Sequence, residues 1–549
     1  MNRSKEKAPA LGAAVATGLA ALLGYFLLVV ALQHWQRAPG AQFGGYPDEP
    51  SHYVSGVMVR DYLTSGFHRT PTAFARDFYL RAPYFAIGYW PPLFYFAEAF
   101  WMLCFGPGRP AALLLIALIA ALVATLIFYA LRSSLGSLSA FGCGALFLLL
   151  PTVESNSMLV MTDLPVTLLS FGALLALAAY LQSGRVAPLI VFTILTAMTI
   201  LTKGSGLFLI AVLPCALLAT GRLHWLFRPS FWIAPFGVAM LCAPWYIVSH
   251  KFLDRGFLTR TDFMIGVRVL GWDTVRDLAL LAPLAAWGVW KILRPRPIPP
   301  LAAICMIQPI ILVVFLMAAP VIVEPRYMMP ALPPLIVLAG LGIHSIAEST
   351  LRGRTTALAA TGLLVAVAGV RIYLYAPPPA VNMIRPVAEF AVHHTAPFYR
   401  AVMVSSDLEG PMIAEIVALE PQSMARYLIR PGKVLAHMDW LGRGYQELYG
   451  NTEQIQALFD RVPVDLVILR TNLTSSALPH ERMLAATINA SPTQWRRVFP
   501  SVGESSLYEA YEPVRTTVDD PKAIEQFLEH ELTPLGGATL IGKPDFHTP

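Results

Sequence analysis

Few residues in this chain can do chemistry, and those few fall at the edges of apolar runs. In Tyr46-Pro47-Asp48-Glu49-Pro50-Ser51-His52-Tyr53, Asp48 lies four residues and Glu49 three residues before His52. A helix through them puts two carboxylates and an imidazole on one face. Such a set can ligate a divalent metal, or serve as a base with its orienting partner. Helix capping is the simpler use, since Asp48 suits an N-cap and Pro50 a first turn. A second acidic stretch runs from Glu154-Ser155-Asn156-Ser157 to Met161-Thr162-Asp163-Leu164-Pro165, with Asp163 at the mouth of the next apolar run, again a capping position. Carboxylates that converge need a shared cation or proton. Asp48, His52 and Asp163 are therefore the candidate metal ligands. Oxygen donors suit magnesium or manganese, and His52 keeps zinc among the options.

Two cationic breaks accompany them, Leu201-Thr202-Lys203-Gly204 and Val323-Glu324-Pro325-Arg326-Tyr327. At a membrane surface Lys203 and Arg326 can hold a lipid phosphate, lysine as a point charge and arginine as a bidentate fork. Snorkelling, or a local Glu324–Arg326 pair, is the competing reading. Arg69, Arg76 and Arg81 either add to the same field or contact headgroups.

The elements that must position these residues are membrane spans. The chain has 549 residues, 56% hydrophobic and 13% charged, against roughly a quarter charged in ordinary soluble domains. A span takes about 20 apolar residues. Suitable runs fall near 11–32, 111–131, 138–151, 164–182, 187–201, 205–220, 231–250, 277–293, 300–320, 328–347 and 355–375. The first follows Arg3, Lys5 and Lys7 but is too long for a signal peptide and lacks a convincing cleavage site, so it reads as a retained helix. The stretch 91–106 opens on Trp90-Pro91-Pro92 and carries Glu98, which is costly at a bilayer centre. Read as an interfacial helix, it leaves Arg132, Arg185, Arg222 with Arg228, Lys291 with Arg294 and Arg296, and Arg352 with Arg354 all on the side of the N-terminus. That is the positive-inside pattern; counting 91–106 as a span inverts it. The expected fold is thus an α-helical polytopic membrane protein of about 11 transmembrane helices, with interfacial helices in a first outer loop at 33–110. The net charge of +6 belongs to cytoplasmic loops, and no nucleic acid partner is expected. Cys104, Cys143, Cys215, Cys242 and Cys305 all lie in apolar segments and read as packing residues.

Composition changes at Ala376-Pro377-Pro378-Pro379, a stiff linker. The expected division is a transmembrane domain at 1–375 and an extracytoplasmic α/β domain with a looser tail at 376–549. Ala401–Ser405 and Val464–Leu469 read as buried strands, 411–419 and 452–460 as helices, and Val498–Tyr511 as a hairpin around Gly503, with the tail from about Pro513.

The ensemble resembles the C-type polytopic glycosyltransferases, especially the group of protein O-mannosyltransferases and the bacterial aminoarabinose transferase of lipid A. The likeness covers most of 10–375. It rests on Asp48-Glu49 after the first span, Pro91-Pro92-Leu93-Phe94-Tyr95, Thr162-Asp163-Leu164-Pro165, Leu201-Thr202-Lys203-Gly204, and Arg326-Tyr327-Met328-Met329-Pro330-Ala331-Leu332-Pro333-Pro334. Each motif is weak alone; their order and common side make the set specific. The resemblance implies inverting transfer of a sugar from a polyprenyl-phosphate donor to an acceptor outside a bacterial inner membrane, with a divalent metal in some members. It makes Asp48 the base or a metal ligand, Glu49 its orienting partner and Asp163 the third acid of the cluster. Lys203, Arg326, Tyr327 and Arg81 become the donor-phosphate residues. Many relatives carry a basic residue before the Pro-Pro pair, where this chain has Trp90, so Arg81 or Arg69 must supply that charge or the donor is handled differently. The acceptor (protein, lipid or glycan), the sugar and the role of the C-terminal domain are not legible. The competing class is a lipid or sugar transporter or flippase, which calls for broken helices with polar residues near the midplane and a repeat between halves. A scaffold with a degenerate site is the third reading.

Overall fold

The computed structural model describes residues 11–532 apart from 257–262, 274–278, 280, 295–297, 319–322, 376–380, 396–400, 421–425, 439–443, 474–476, 502–505 and 516–519. The Ala376–Pro379 linker, Arg296, the turn at Gly503 and the end of the tail fall outside the described residues. The protein is a mostly helical integral membrane protein with a small sheet near its C-terminus. Every apolar run expected to span contains helix. Among the described residues seven helices are long and apolar enough to cross a membrane, or eight if Ser137–Leu148 and Pro151–Ser157, bent by 68°, form one span. The other three expected spans are shorter, at Val186–Thr202, Gly204–Ala219 and Ala282–Ile292.

Contacts divide the chain into two compact units. One comprises 1–39, 89–94 and 113–379, the other 40–88, 95–112 and 380–549. Most of the first loop thus groups with the C-terminal segment.

In the first unit the helices are apolar on their exposed sides. Leu19, Leu23 and Leu27, one turn apart on Leu11–Trp35, are exposed while Ala21, Tyr25 and Val29 are buried. A helix that shows leucine outward is solvated by lipid. Without a hydrophobic drive between spans, close backbone approach does the packing. A Cβ at Gly288 would overlap the Leu338 carbonyl, and one at Gly342 the Leu284 carbonyl, so Ala282–Ile292 and Leu332–Glu348 meet through these glycines.

In the second unit Glu49–Asp61 and Pro71–Arg81 form the loop helices. Leu93–Phe105 follows, with 13 residues, about 20 Å at 1.5 Å per residue and too short for a bilayer core of about 30 Å. Phe96, Phe100 and Leu103 are exposed, and Tyr95, Glu98 and Met102 buried. The helix turns its apolar face outward and its polar side chains inward.

The C-terminal strands are β1 (Ala401–Met403), β2 (Tyr427–Ile429), β3 (Ala436–His437), β4 (Gln446–Glu447), β5 (Val464–Arg470), β6 (Trp495–Phe499) and β7 (Tyr508–Pro513). Five form one sheet in the order β2-β1-β5-β7-β6, and β3 pairs with β4. β1 runs parallel to β2 and β5, while β7 is antiparallel to β5 and β6. Parallel neighbours need a crossover, and Glu409–Leu419 supplies it between β1 and β2. Thr452–Arg461 lies where the second helix was expected, and Pro521–Leu532 is a helix where a loose tail was expected.

Candidate active site

In the first unit the expected donor-phosphate residues come together where helices break. Asp163 opens the helix Asp163–Ser183 behind Thr162, which makes no side-chain cap. Lys203 ends Val186–Thr202 in an extended conformation, with φ −156° and ψ 135°. Arg326 lies in the 3-10 turn Pro325–Ala331, whose prolines prevent a regular helix.

Lys203 Nζ donates to Asp163 Oδ1 at 2.7 Å, and Arg326 Nη1 lies 3.5 Å from Asp163 Oδ2. Arg326 Nε also donates to Glu324 Oε2 at 2.7 Å. Lys203 Nζ sits 4.1 Å from the centre of the Tyr327 ring and the Arg326 guanidinium carbon 5.4 Å from it. Both cations and Asp163 are buried. Two carboxylates face two cations, so the formal charges of the four side chains cancel. Each charge is costly to bury alone, and mutual pairing holds the set in one geometry. The local Glu324–Arg326 pair exists, but as one edge of a larger network. Asp163, the expected third acid, lies between the two cations. Its oxygens face positive charge, which disfavours a divalent cation there.

In the second unit Asp48 occupies the N-cap position of Glu49–Asp61, yet its side chain makes no cap bond. It is half-buried. Glu49 is fully buried. Its Oε1 accepts from Arg109 Nη2 at 2.8 Å, and its Oε2 accepts from the amides of Gly44 at 3.0 Å and Gly45 at 3.1 Å. Glu49 therefore closes the loop ahead of the helix and holds a buried arginine. Arg109 is not among the expected site residues; its signal in the sequence is a single cation opening an otherwise apolar run after Gly106-Pro107-Gly108.

His52 is buried, with Nδ1 2.8 Å from the Tyr95 hydroxyl. Tyr95 lies within electrostatic reach of both Glu98 and Asp48, and burial raises its hydroxyl well above the usual range. Among the described residues neither Glu98 carboxylate oxygen has a hydrogen-bond partner. Burial pushes this carboxyl well above the usual carboxylate range. Its seat is Gly56, where a Cβ would overlap Oε2.

Arg81, expected at the donor phosphate, lies over the Tyr427 ring at 4.6 Å and 3.8 Å from Glu525 Oε1. Arg69 pairs with Asp77 and Arg76 with Glu529. All three loop arginines contact carboxylates of their own unit. Among the described residues no group of three or more His, Cys, Asp or Glu side chains is placed to hold a metal. Of the expected ligands, Asp48 and His52 belong to the second unit and Asp163 to the first.

No family model and no curated protein matches the chain. Solved structures do. ArnT from Cupriavidus metallidurans bound to undecaprenyl phosphate superposes with TM-score 0.59 at 14% identity, over 93% of this chain and 100% of that one. The apo form gives 0.55 at 15% identity, over 89% and 98%. An apo oligosaccharyltransferase from Archaeoglobus fulgidus gives 0.47 at 12% identity, over 82% of this chain and 69% of that one. The fold is that of ArnT, an aminoarabinose transferase of the group that the sequence motifs resemble.

Proposed function

We propose that the chain is an inverting glycosyltransferase that moves a sugar from a polyprenyl-phosphate donor to an acceptor hydroxyl on the extracytoplasmic side of the cell membrane. The observation that carries this reading is the buried Asp163–Lys203–Arg326 network around Tyr327. It keeps two cations preorganised at helix ends, where a membrane-bound phosphate can meet them. The likeness to ArnT, whose structure holds undecaprenyl phosphate, supports the same donor class.

Asp48 accepts the proton of the acceptor hydroxyl as its oxygen bonds the anomeric carbon. The bond from that carbon to the phosphate oxygen breaks, and the electron pair leaves with polyprenyl phosphate. Lys203 and Arg326 neutralise the charge that develops there, an electrostatic contribution worth most in a site that excludes water. Asp163 and Tyr327 hold the two cations in place. Glu49 is committed to Arg109 and two amides, so the base is assigned to the adjacent half-buried Asp48.

The test uses protein in lipid nanodiscs with a panel of polyprenyl-monophosphate sugars and membrane extract, following release of free polyprenyl phosphate. Release by wild type and its loss in Asp48→Asn are expected. Donor binding without release from any donor or extract would favour a transporter, and full release by folded Asp48→Asn would remove Asp48 from the mechanism.

A further inference from the structure

The carboxyl ends of β1 and β2 lie side by side, with Met403 opposite Ile429. Residues just beyond them reach one edge of the sheet. Glu409 opens the helix Glu409–Leu419, where a carboxylate is favoured by the helix dipole, and Arg430 directly follows β2. Arg430 Nε donates to Glu409 Oε2 at 2.7 Å, and the other Glu409 oxygen accepts from the Gly432 amide at 2.7 Å.

The rest of Arg430 is spent on the first loop. Its Nη1 donates to the Pro83 carbonyl at 3.0 Å, and its guanidinium carbon lies 4.7 Å from the centre of the Tyr84 ring. The Tyr84 hydroxyl reaches toward the carbonyl of Pro47 at 3.4 Å, and Tyr84 feels the charge of Asp48 as well as those of Arg430 and Glu409. Gly410 lets the ring in, since a Cβ there would overlap it. A second anchor acts before Asp48. Glu415 Oε1 accepts from the Phe43 amide at 3.4 Å and from Asn382 Nδ2 at 2.9 Å. Gly44, at φ +98°, fits against Pro411 where a Cβ would overlap.

We propose that Arg430 and Glu409 of the C-terminal sheet domain are positioning residues for Asp48, acting through Tyr84 and Pro47. On this view the domain holds the segment that carries the base, and its role is to set where that carboxylate points. The proposal rests on Asp48 being the base. Glu409 is buried and Arg430 half-buried, and such a pair contributes little net stability. A fork shared among a carboxylate, a carbonyl and a ring is specific to arginine.

The test compares wild type, Arg430→Gln, Arg430→Lys and Tyr84→Leu in nanodiscs, with Arg496→Gln on exposed β6 as the control. Amide hydrogen exchange is read over residues 43–49 and over β5, and polyprenyl phosphate release gives kcat and donor KM. Arg430→Gln is expected to speed exchange at 43–49 by about tenfold while β5 stays protected. It should lower kcat by about tenfold or more with donor KM little changed, because misplacing a catalytic group costs rate rather than binding. Arg430→Lys should fall between, and Tyr84→Leu should reproduce the effect with the Arg430–Glu409 pair intact. Unchanged exchange at 43–49 in both folded variants would overturn the proposal, as would faster exchange spread equally over β5. If Asp48→Asn kept full activity, the reading of the base would fail, whereas unchanged kcat in Arg430→Gln beside an inactive Asp48→Asn would sink only the positioning role.

Discussion

Glu49 and Arg109, sixty residues apart in sequence, share a buried 2.8 Å ion pair. Adjacent carboxylates therefore have different work. Asp48 is half-buried, while Glu49 organises the turn ahead of it and neutralises an arginine that has almost no exposure to water.

Glu49→Gln leaves Arg109 buried beside a neutral amide, and breaking a buried pair costs about 3–5 kcal/mol. Its melting temperature in nanodiscs should drop clearly, whereas Asp48→Asn should melt like wild type. Equal melting of the two variants would show that the Glu49 pair contributes no stability.

The paired cations make a prediction about binding. Lys203→Ala and Arg326→Ala should each weaken polyprenyl phosphate binding by about tenfold or more, since a charge-assisted contact contributes about 1.5–3 kcal/mol. Arg326→Lys should recover only part of the loss, because the Glu324 contact and the Tyr327 stack use guanidinium geometry. Isothermal titration with the phosphate lipid checks this, and wild-type affinity in Lys203→Ala would take that residue out of the site.

Glu98 and Gly56 offer a test of packing. Gly56→Ala pushes a methyl group into the Glu98 carboxyl and should cost about 1–3 kcal/mol by overpacking. Gly56→Ala/Glu98→Ala should regain much of that, and a double-mutant cycle on thermal unfolding measures the coupling. Additive effects would show that the two residues do not meet. Glu98→Gln should be well tolerated, because burial disfavours the charged form of this carboxyl and the amide keeps its shape.

Topology is checked with reporters fused after Arg354 and after Tyr375, at the two ends of the helix Gly353–Tyr375. The first should be cytoplasmic and the second extracytoplasmic. Reversed signals would mean that Leu93–Phe105 crosses the membrane and inverts every later loop.

Much of the membrane architecture was legible because a bilayer imposes a length and a composition on every crossing segment. That constraint is local, so apolar runs such as 111–131 and 355–375 announce their helices before anything packs. The strands at Ala401 and Val464 were legible for a related reason: short runs of buried β-branched and aliphatic residues fit a parallel sheet. Less local features were not. The register of β1 against both β2 and β5, and the helix at Pro521–Leu532, depend on partners far along the chain.

The site divides in the same way. Residue type and position alone singled out Asp48, Asp163, Lys203 and Arg326 as uncommon charges beside apolar runs. Which charge meets which is a matter of three-dimensional placement, and only the tertiary structure decided it. Folding set Asp163 between two cations, gave Glu49 to Arg109, and drew Arg81 to Tyr427 and Glu525. A buried charge must find a partner wherever the fold supplies one, and for Asp163 that partner was 40 residues away.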